Sequence, residues 1–208
     1  MGKITGVAGF GCEDIVLYLA AIFSGMGKKV AVVDKTEQEM LLEILGIVWG
    51  GESGFEERKG EYAGIHFTNQ VVNREEYEHV FLVFGQRLMH PKLYECETLI
   101  LITDGLPAHA IQFRQLGQWE RKQCLVLRNL VSMKHSEQYL VMLSGNEEAY
   151  YSLYYSEQDC RMQYGLGSGF GCNMKLLSRE MKHLLIQLVQ FVDSFCKEKE
   201  IRQIIKKA

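Results

Sequence analysis

Three glycines, a cysteine and two acids near the start of the chain have the types and spacing of a ligand loop. Gly6 and Gly11 stand on the two glycine positions of G-x-x-x-x-G-K-[ST], with Gly9 between them. In that motif backbone N–H groups cradle phosphates, the lysine neutralises them and the hydroxyl holds Mg²⁺. Here Cys12 takes the lysine position and Glu13 the hydroxyl position, so the frame is kept while its chemistry is missing. Glu13 and Asp14 also open the following helix, where a bound phosphate would use the positive end of the dipole. Two unit charges about 4 Å apart repel by about 4 kcal/mol at an effective dielectric near 20, enough to offset much of what a backbone cradle contributes.

Other chemistry has little support. The six histidines are dispersed at 66, 79, 90, 109, 135 and 183, without an H-E-x-x-H pattern, so no metal site and no catalytic residue is assigned. The six cysteines form no C-x-x-C pair and read as reduced thiols. Ser168 lacks the G-x-S-x-G frame of a nucleophile elbow. The glycine run Gly165–Gly171 follows no convincing strand and reads as a flexible turn. Gly-Phe-Gly-Cys occurs at both 9–12 and 169–172 with no repeat around it, and a working thiol pair between Cys12 and Cys172 is given little weight.

The elements that must position the loop follow from periodicity. Residues 3–8 read as a strand and 13–25 as a helix, with Ile15, Val16, Leu19, Ile22 and Phe23 on one face. The β-branched run at 29–33 suits a strand covered on both faces. A short helix at 37–46 and strands at 65–68, 79–84, 98–103 and 124–127 continue the pattern, with a helix at 108–116 and a further strand at 138–143. Residues 49–74 read mainly as exposed loop, with Glu56–Gly60 within it, and Tyr150–Tyr155 as a lid or helix half-buried against the sheet edge. A long helix is expected from about 175 to 200, followed by a short basic tail, Ile201–Ala208. Strands alternating with helices imply one α/β domain over 1–208, with a three-layer, doubly wound, mostly parallel sheet.

With the first turn and second strand in view, the chain resembles the MinD/ParA group of deviant Walker ATPases, including pilus-assembly relatives of the CpaE/TadZ kind. That group carries K-G-G-V-G-K-T at the first turn and D-x-D-x-Q after the first helix. Val7–Glu13 aligns with the first and Asp34–Gln38 with the second. Asp34 and Gln38 match. The signature lysine falls on Val7, the Walker lysine on Cys12, the Mg²⁺-binding threonine on Glu13 and the second aspartate on Thr36; Phe84 replaces the metal-linked aspartate. Gln123–Asn129 looks like the strand whose terminal Asn reads the adenine edge.

The resemblance, over roughly residues 1 to 130, implies a P-loop NTPase-like fold with a vestigial nucleotide pocket of Gly6, Gly9, Gly11, Cys12, Glu13, Asp34 and Asn129. It implies a pseudo-ATPase without cofactor, acting as a binding or scaffolding protein that positions a secretion or pilus assembly through a protein partner or homodimer. The alternative is a divergent protein that still binds ATP with Mg²⁺, its lost cations replaced by Arg87, Arg114 or Arg128; a small-molecule sensor using the vacated pocket ranks third.

Composition sets outer limits. The chain has 208 residues, 47% hydrophobic and 24% charged, with a formal net charge of −3, which argues against a broad nucleic-acid face. No apolar run is long enough to span a bilayer, and no signal segment is read at the start, so the expected location is cytoplasmic. Weak membrane contact through Ile201–Ala208 is the remaining expectation, set against a solvated helix end.

Overall fold

A computed structural model describes residues 2–47, 58–116, 121–131, 137–146, 149–165 and 173–208. Its centre is an eight-stranded sheet in the order β3-β4-β2-β5-β1-β6-β7-β8. The strands are β1 (Lys3–Gly9), β2 (Val30–Asp34), β3 (Lys59–Tyr62), β4 (Ile65–Thr68), β5 (His79–Gly85), β6 (Thr98–Thr103), β7 (Lys122–Leu130) and β8 (Tyr150–Tyr154). All neighbours run parallel except β3, which turns back on β4. The carboxyl ends of the central strands therefore share one edge, where ligands bind in open parallel sheets.

Side chains alternate across this sheet and so feed two cores. Val7, Val32, Phe81 and Ile100 face a layer made by α1 (Glu13–Gly25), α6 (Arg179–Val192) and α7 (Glu198–Lys207). Ala8, Val33, Leu82 and Leu101 face the opposite layer, with Phe113 and Leu140 from the segments around α3 (Pro107–Ala110) and α4 (Glu137–Ser144). Two further helices join the first of these cores: Leu41 and Leu42 of α2 (Met40–Ile44) are buried in it, and Met162 of α5 (Glu157–Gly165) packs against it. The three-layer, doubly wound, mostly parallel arrangement is the one expected from the sequence.

Several expectations are corrected. The 138–143 segment is not a strand but α4, because Leu140, Val141 and Ser144 fall on one helical face that is buried. Tyr150–Tyr154 is not a helix or lid but the edge strand β8, paired parallel with β7. Its alternation buries Leu153 and leaves Tyr150 and Tyr154 exposed, as a half-covered edge requires. Lys59–Tyr62, within the expected loop, is a strand; it reaches β4 through Ala63 and Gly64, whose φ values of 51° and 73° make the left-handed two-residue turn of a hairpin. The 108–116 helix is only one α-helical turn, followed by a 3-10 helix at Ile111–Leu116.

The long C-terminal helix is two helices. Asp193 ends α6 with an extended backbone, and its carboxylate accepts from Phe195 N at 3.2 Å and Lys3 Nζ at 2.8 Å, which turns the chain before α7 begins. The basic tail is thus part of a folded helix. Ile201 and Ile205 are buried in the α1 core, and a Cβ on Gly25 would come within 2.7 Å of Ile204. The apolar face that would have met a membrane is turned into the protein. Among the described residues no helix is long and apolar enough to cross a membrane. The glycine run at 166–171 and Cys172 lie outside the described residues.

Candidate functional site

The glycine turn lies at the carboxyl edge of β1, between β5 and β6. Gly9 has φ +121°, and a Cβ there would sit 1.9 Å from the carbonyl oxygen of Ile102; Gly11 has φ +63°. At Gly9 no side chain fits, and at Gly11 the left-handed backbone favours glycine although there is room for a Cβ. Gly6 is different: it lies inside β1, where a Cβ would meet Cys96 Sγ at 2.8 Å, so it serves strand packing rather than the loop. The loop also spends its own donors, since Phe10 N donates to Ile102 O at 2.8 Å.

The two residues that replace the lysine and threonine supply neither a cation nor a hydroxyl. Cys12 is fully buried in the α1 core, and burial, reinforced by the charges of Glu13 and Asp14, pushes its thiol far above the ordinary range. Glu13 is half-buried, and burial raises its carboxyl pKa as well. The decisive contact comes from across the sheet. Arg128, near the end of β7, is 3% exposed and meets Asp14, 1% exposed, in a two-pronged pair: Nη1 to Oδ1 at 2.8 Å and Nη2 to Oδ2 at 2.9 Å. The same Nη1 donates to the carbonyl of Gly11. Burial opposes the charge on Arg128, but Asp14 outweighs it, and the guanidinium pKa is raised. Planar bidentate geometry makes this the strongest type of ion pair available to the chain.

Of the three arginines proposed as replacement cations, only Arg128 reaches the loop. Arg87 donates to Lys35 O at 2.9 Å, and Arg114 donates to Met142 O at 3.2 Å. Arg128 is itself held by a carboxylate of the same loop, so it offers little net positive charge outward.

Asp34, the matching acid at the end of β2, is buried and fully engaged. Its Oδ1 accepts from Thr36 N at 2.9 Å and Thr36 Oγ1 at 2.7 Å, and its Oδ2 accepts from Leu41 N at 2.8 Å and Leu42 N at 3.4 Å. It caps the start of α2 and fixes the preceding turn. Phe84 is buried in the second core with its ring centroid 5.2 Å from that of His90. Asn129 is exposed with φ +55°, at the point where the β7–β8 register slips between Leu127 and Leu130. Asn tolerates that left-handed backbone, so the residue type is explained by the bulge.

Besides the Arg128–Asp14 pair, a second contact has no counterpart in the sequence reading. Phe10, at the loop's crest, stacks on His109 with centroids 3.8 Å apart and planes 10° apart, and His109 Nδ1 lies 2.9 Å from Asp104 Oδ1. Asp104 also accepts from Leu106 N at 3.0 Å, which closes a turn after β6 and holds the histidine on the loop. The site thus brings together Gly9, Gly11, Cys12 and Glu13, with Arg128, Phe10 and His109 added. Gly6 and Asp34 act as framework. These residues do not fit a Mg²⁺-triphosphate: the cation at the loop is neutralised, the hydroxyl ligand is an acid, and a phenyl ring stands at the end of β5.

No protein-family model matches the chain, and no curated protein matches it. Among solved structures, a ParA family ATPase from Chlorobium tepidum TLS superposes with a TM-score of 0.56 at 11% identity, over 99% of this chain and 96% of that chain. An ATP complex of McdA from Cyanothece gives 0.55 at 9% identity over 98% and 95%, and a pNOB8 ParA bound to nonspecific DNA gives 0.51 at 13% identity over 100% and 99%. At such identities the likeness shows the fold, which is that of the ParA/MinD P-loop NTPases.

Proposed function

We propose that this chain is a pseudo-ATPase of the ParA/MinD fold, a binding or scaffolding subunit whose nucleotide loop is closed from within. The observation that carries the reading is the buried Arg128–Asp14 pair with its hydrogen bond to the Gly11 carbonyl. Phosphoryl transfer depends on positioning and charge stabilisation by cations and metal ions. Here the cation is already paired, and Cys12, Glu13 and Phe84 stand where the lysine, the hydroxyl and the metal-linked acid belong. What remains is a carboxyl edge able to present a surface to a protein partner or a second copy. Placement in a secretion or pilus assembly rests on the sequence resemblance to CpaE/TadZ proteins.

Nucleic acid is a weaker candidate partner, although one structural neighbour holds DNA: with a net charge of −3 the chain has no excess of cations for a broad phosphate-binding face. Membrane attachment through the tail would require Ile201 and Ile205 to leave the core. A second reading, nucleotide binding with Arg128 as replacement cation, is supported by its contact with Gly11 but requires the guanidinium to give up Asp14. Titration calorimetry with Mg-ATP and Mg-GTP separates the two. The scaffold reading expects no saturable heat at millimolar nucleotide, and micromolar binding would establish the second.

A further inference from the structure

A groove of about 200 Å³ runs between α6 and α7, on the side of the molecule where the tail is folded in. Ile186 and Ile205 line it as its apolar residues, each 3% exposed, and the other lining residues are all cations: Lys175, Lys182, Arg202 and Lys206. Arg202 is paired with Glu198 at 2.6 Å, and Lys182 Nζ donates one hydrogen bond to Lys175 O at 2.7 Å. Among the described residues the three lysines pair with no carboxylate. On a chain of net charge −3, this is a local concentration of unneutralised positive charge around an apolar slot.

We propose that this groove binds an acidic segment of a partner protein that inserts one aliphatic or aromatic side chain between Ile186 and Ile205. This rests on the scaffold reading above and names the chemistry of the partner. The volume suits a single apolar anchor, the kind of group that carries most of the energy in a peptide interface. The surrounding lysines select carboxylates and speed encounter, and they disfavour basic sequences. A flat anionic membrane has no anchor of this shape to offer. A nucleic-acid backbone would use the cations but gain nothing from the slot.

The test is fluorescence anisotropy with the full chain and a short labelled peptide of aspartates and glutamates around one central leucine. Saturable binding is expected, weakened at least about tenfold when the leucine is replaced by alanine, weakened similarly by Lys182→Glu with Lys206→Glu, and reduced by added salt. Lys206 is exposed and Lys182 half-buried, and an unchanged thermal unfolding curve for the double variant shows that the fold is kept. The inference is overturned if the peptide does not bind, if the leucine is immaterial, if the double variant binds as well as the parent, or if a single-stranded oligonucleotide or phosphatidylserine vesicle binds in preference. Peptide binding is read without nucleotide, so its failure leaves the closed-loop reading standing, and a positive Mg-ATP titration would remove that reading without touching this result.

Discussion

Removing Arg128 should damage the fold far more than replacing the whole pair. Asp14 is 1% exposed, so Arg128→Ala leaves a carboxylate buried without its counter-ion and the Gly11 carbonyl without its donor. Breaking a buried ion pair from one side costs about 3–5 kcal/mol, whereas exchanging both partners for apolar groups of similar volume is often neutral or stabilising by about 1–4 kcal/mol. Asp14 also accepts from Ile15 N at 2.8 Å, and losing that first-turn contact costs about 1 kcal/mol, as loss of an N-terminal cap does. Arg128→Met with Asp14→Leu should therefore stay within about 2 kcal/mol of the parent. Urea unfolding followed by far-UV circular dichroism reads both: at a slope of about 2 kcal/mol per M, the single variant moves the midpoint down by about 2 M. A cost below about 1 kcal/mol for Arg128→Ala, or a double variant as unstable as the sum of the singles, would refute the claim that this pair closes the loop.

Other consequences can be measured alongside. Burial holds the His79 imidazole neutral down to about 4, against about 6.5 in an unfolded chain. The unfolded state therefore takes up its proton first, so this stability is fully present above about pH 6.5 and about 3 kcal/mol of it is lost as pH falls to about 4. His79→Phe, which keeps a ring against Phe23, should flatten the pH dependence of the urea midpoint in that window. Burial raises the thiols of Cys12, Cys96 and Cys124, so mass-spectrometric mapping after brief alkylation of the native protein should find these three unmodified and the half-buried Cys160 labelled ahead of the other described cysteines. Ile201→Ala and Ile205→Ala should each destabilise by about 2–5 kcal/mol; vesicle flotation of the parent protein should show no binding, and strong flotation would restore the membrane-tail reading.

How much of this was legible in the sequence varies by segment, for physical reasons. The β1–turn–α1–β2 unit could be read because strand and helix periods are unmixed there, although Gly6, read as a loop glycine, lies inside β1 and packs against Cys96. The carboxyl-terminal helices were read correctly as amphipathic, but the break at Asp193 depends on a hydrogen bond to Lys3 at the other end of the chain. α4 and β8 were each assigned the wrong type, since short runs such as Gln138–Leu143 and Tyr150–Tyr155 satisfy both periods and only their neighbours decide. The loss of the loop's cations was plain from Cys12 and Glu13. The closure was not, because Arg128 and Asp14 are 114 residues apart and meet only once β7 is placed two strands from β1. Arg128 had been singled out as a replacement cation, and Asp14 as a repelling acid; the structure shows that each neutralises the other. The stack of Phe10 on His109 has no sequence signature that spacing alone would reveal.

The most direct test is a crystal of the protein soaked in a non-hydrolysable ATP analogue with Mg²⁺. The account predicts that Arg128 keeps both hydrogen bonds to Asp14 and that no phosphate density stands over Gly11, Cys12 and Glu13. A triphosphate seated there, with the guanidinium swung off Asp14 to meet it, would contradict it.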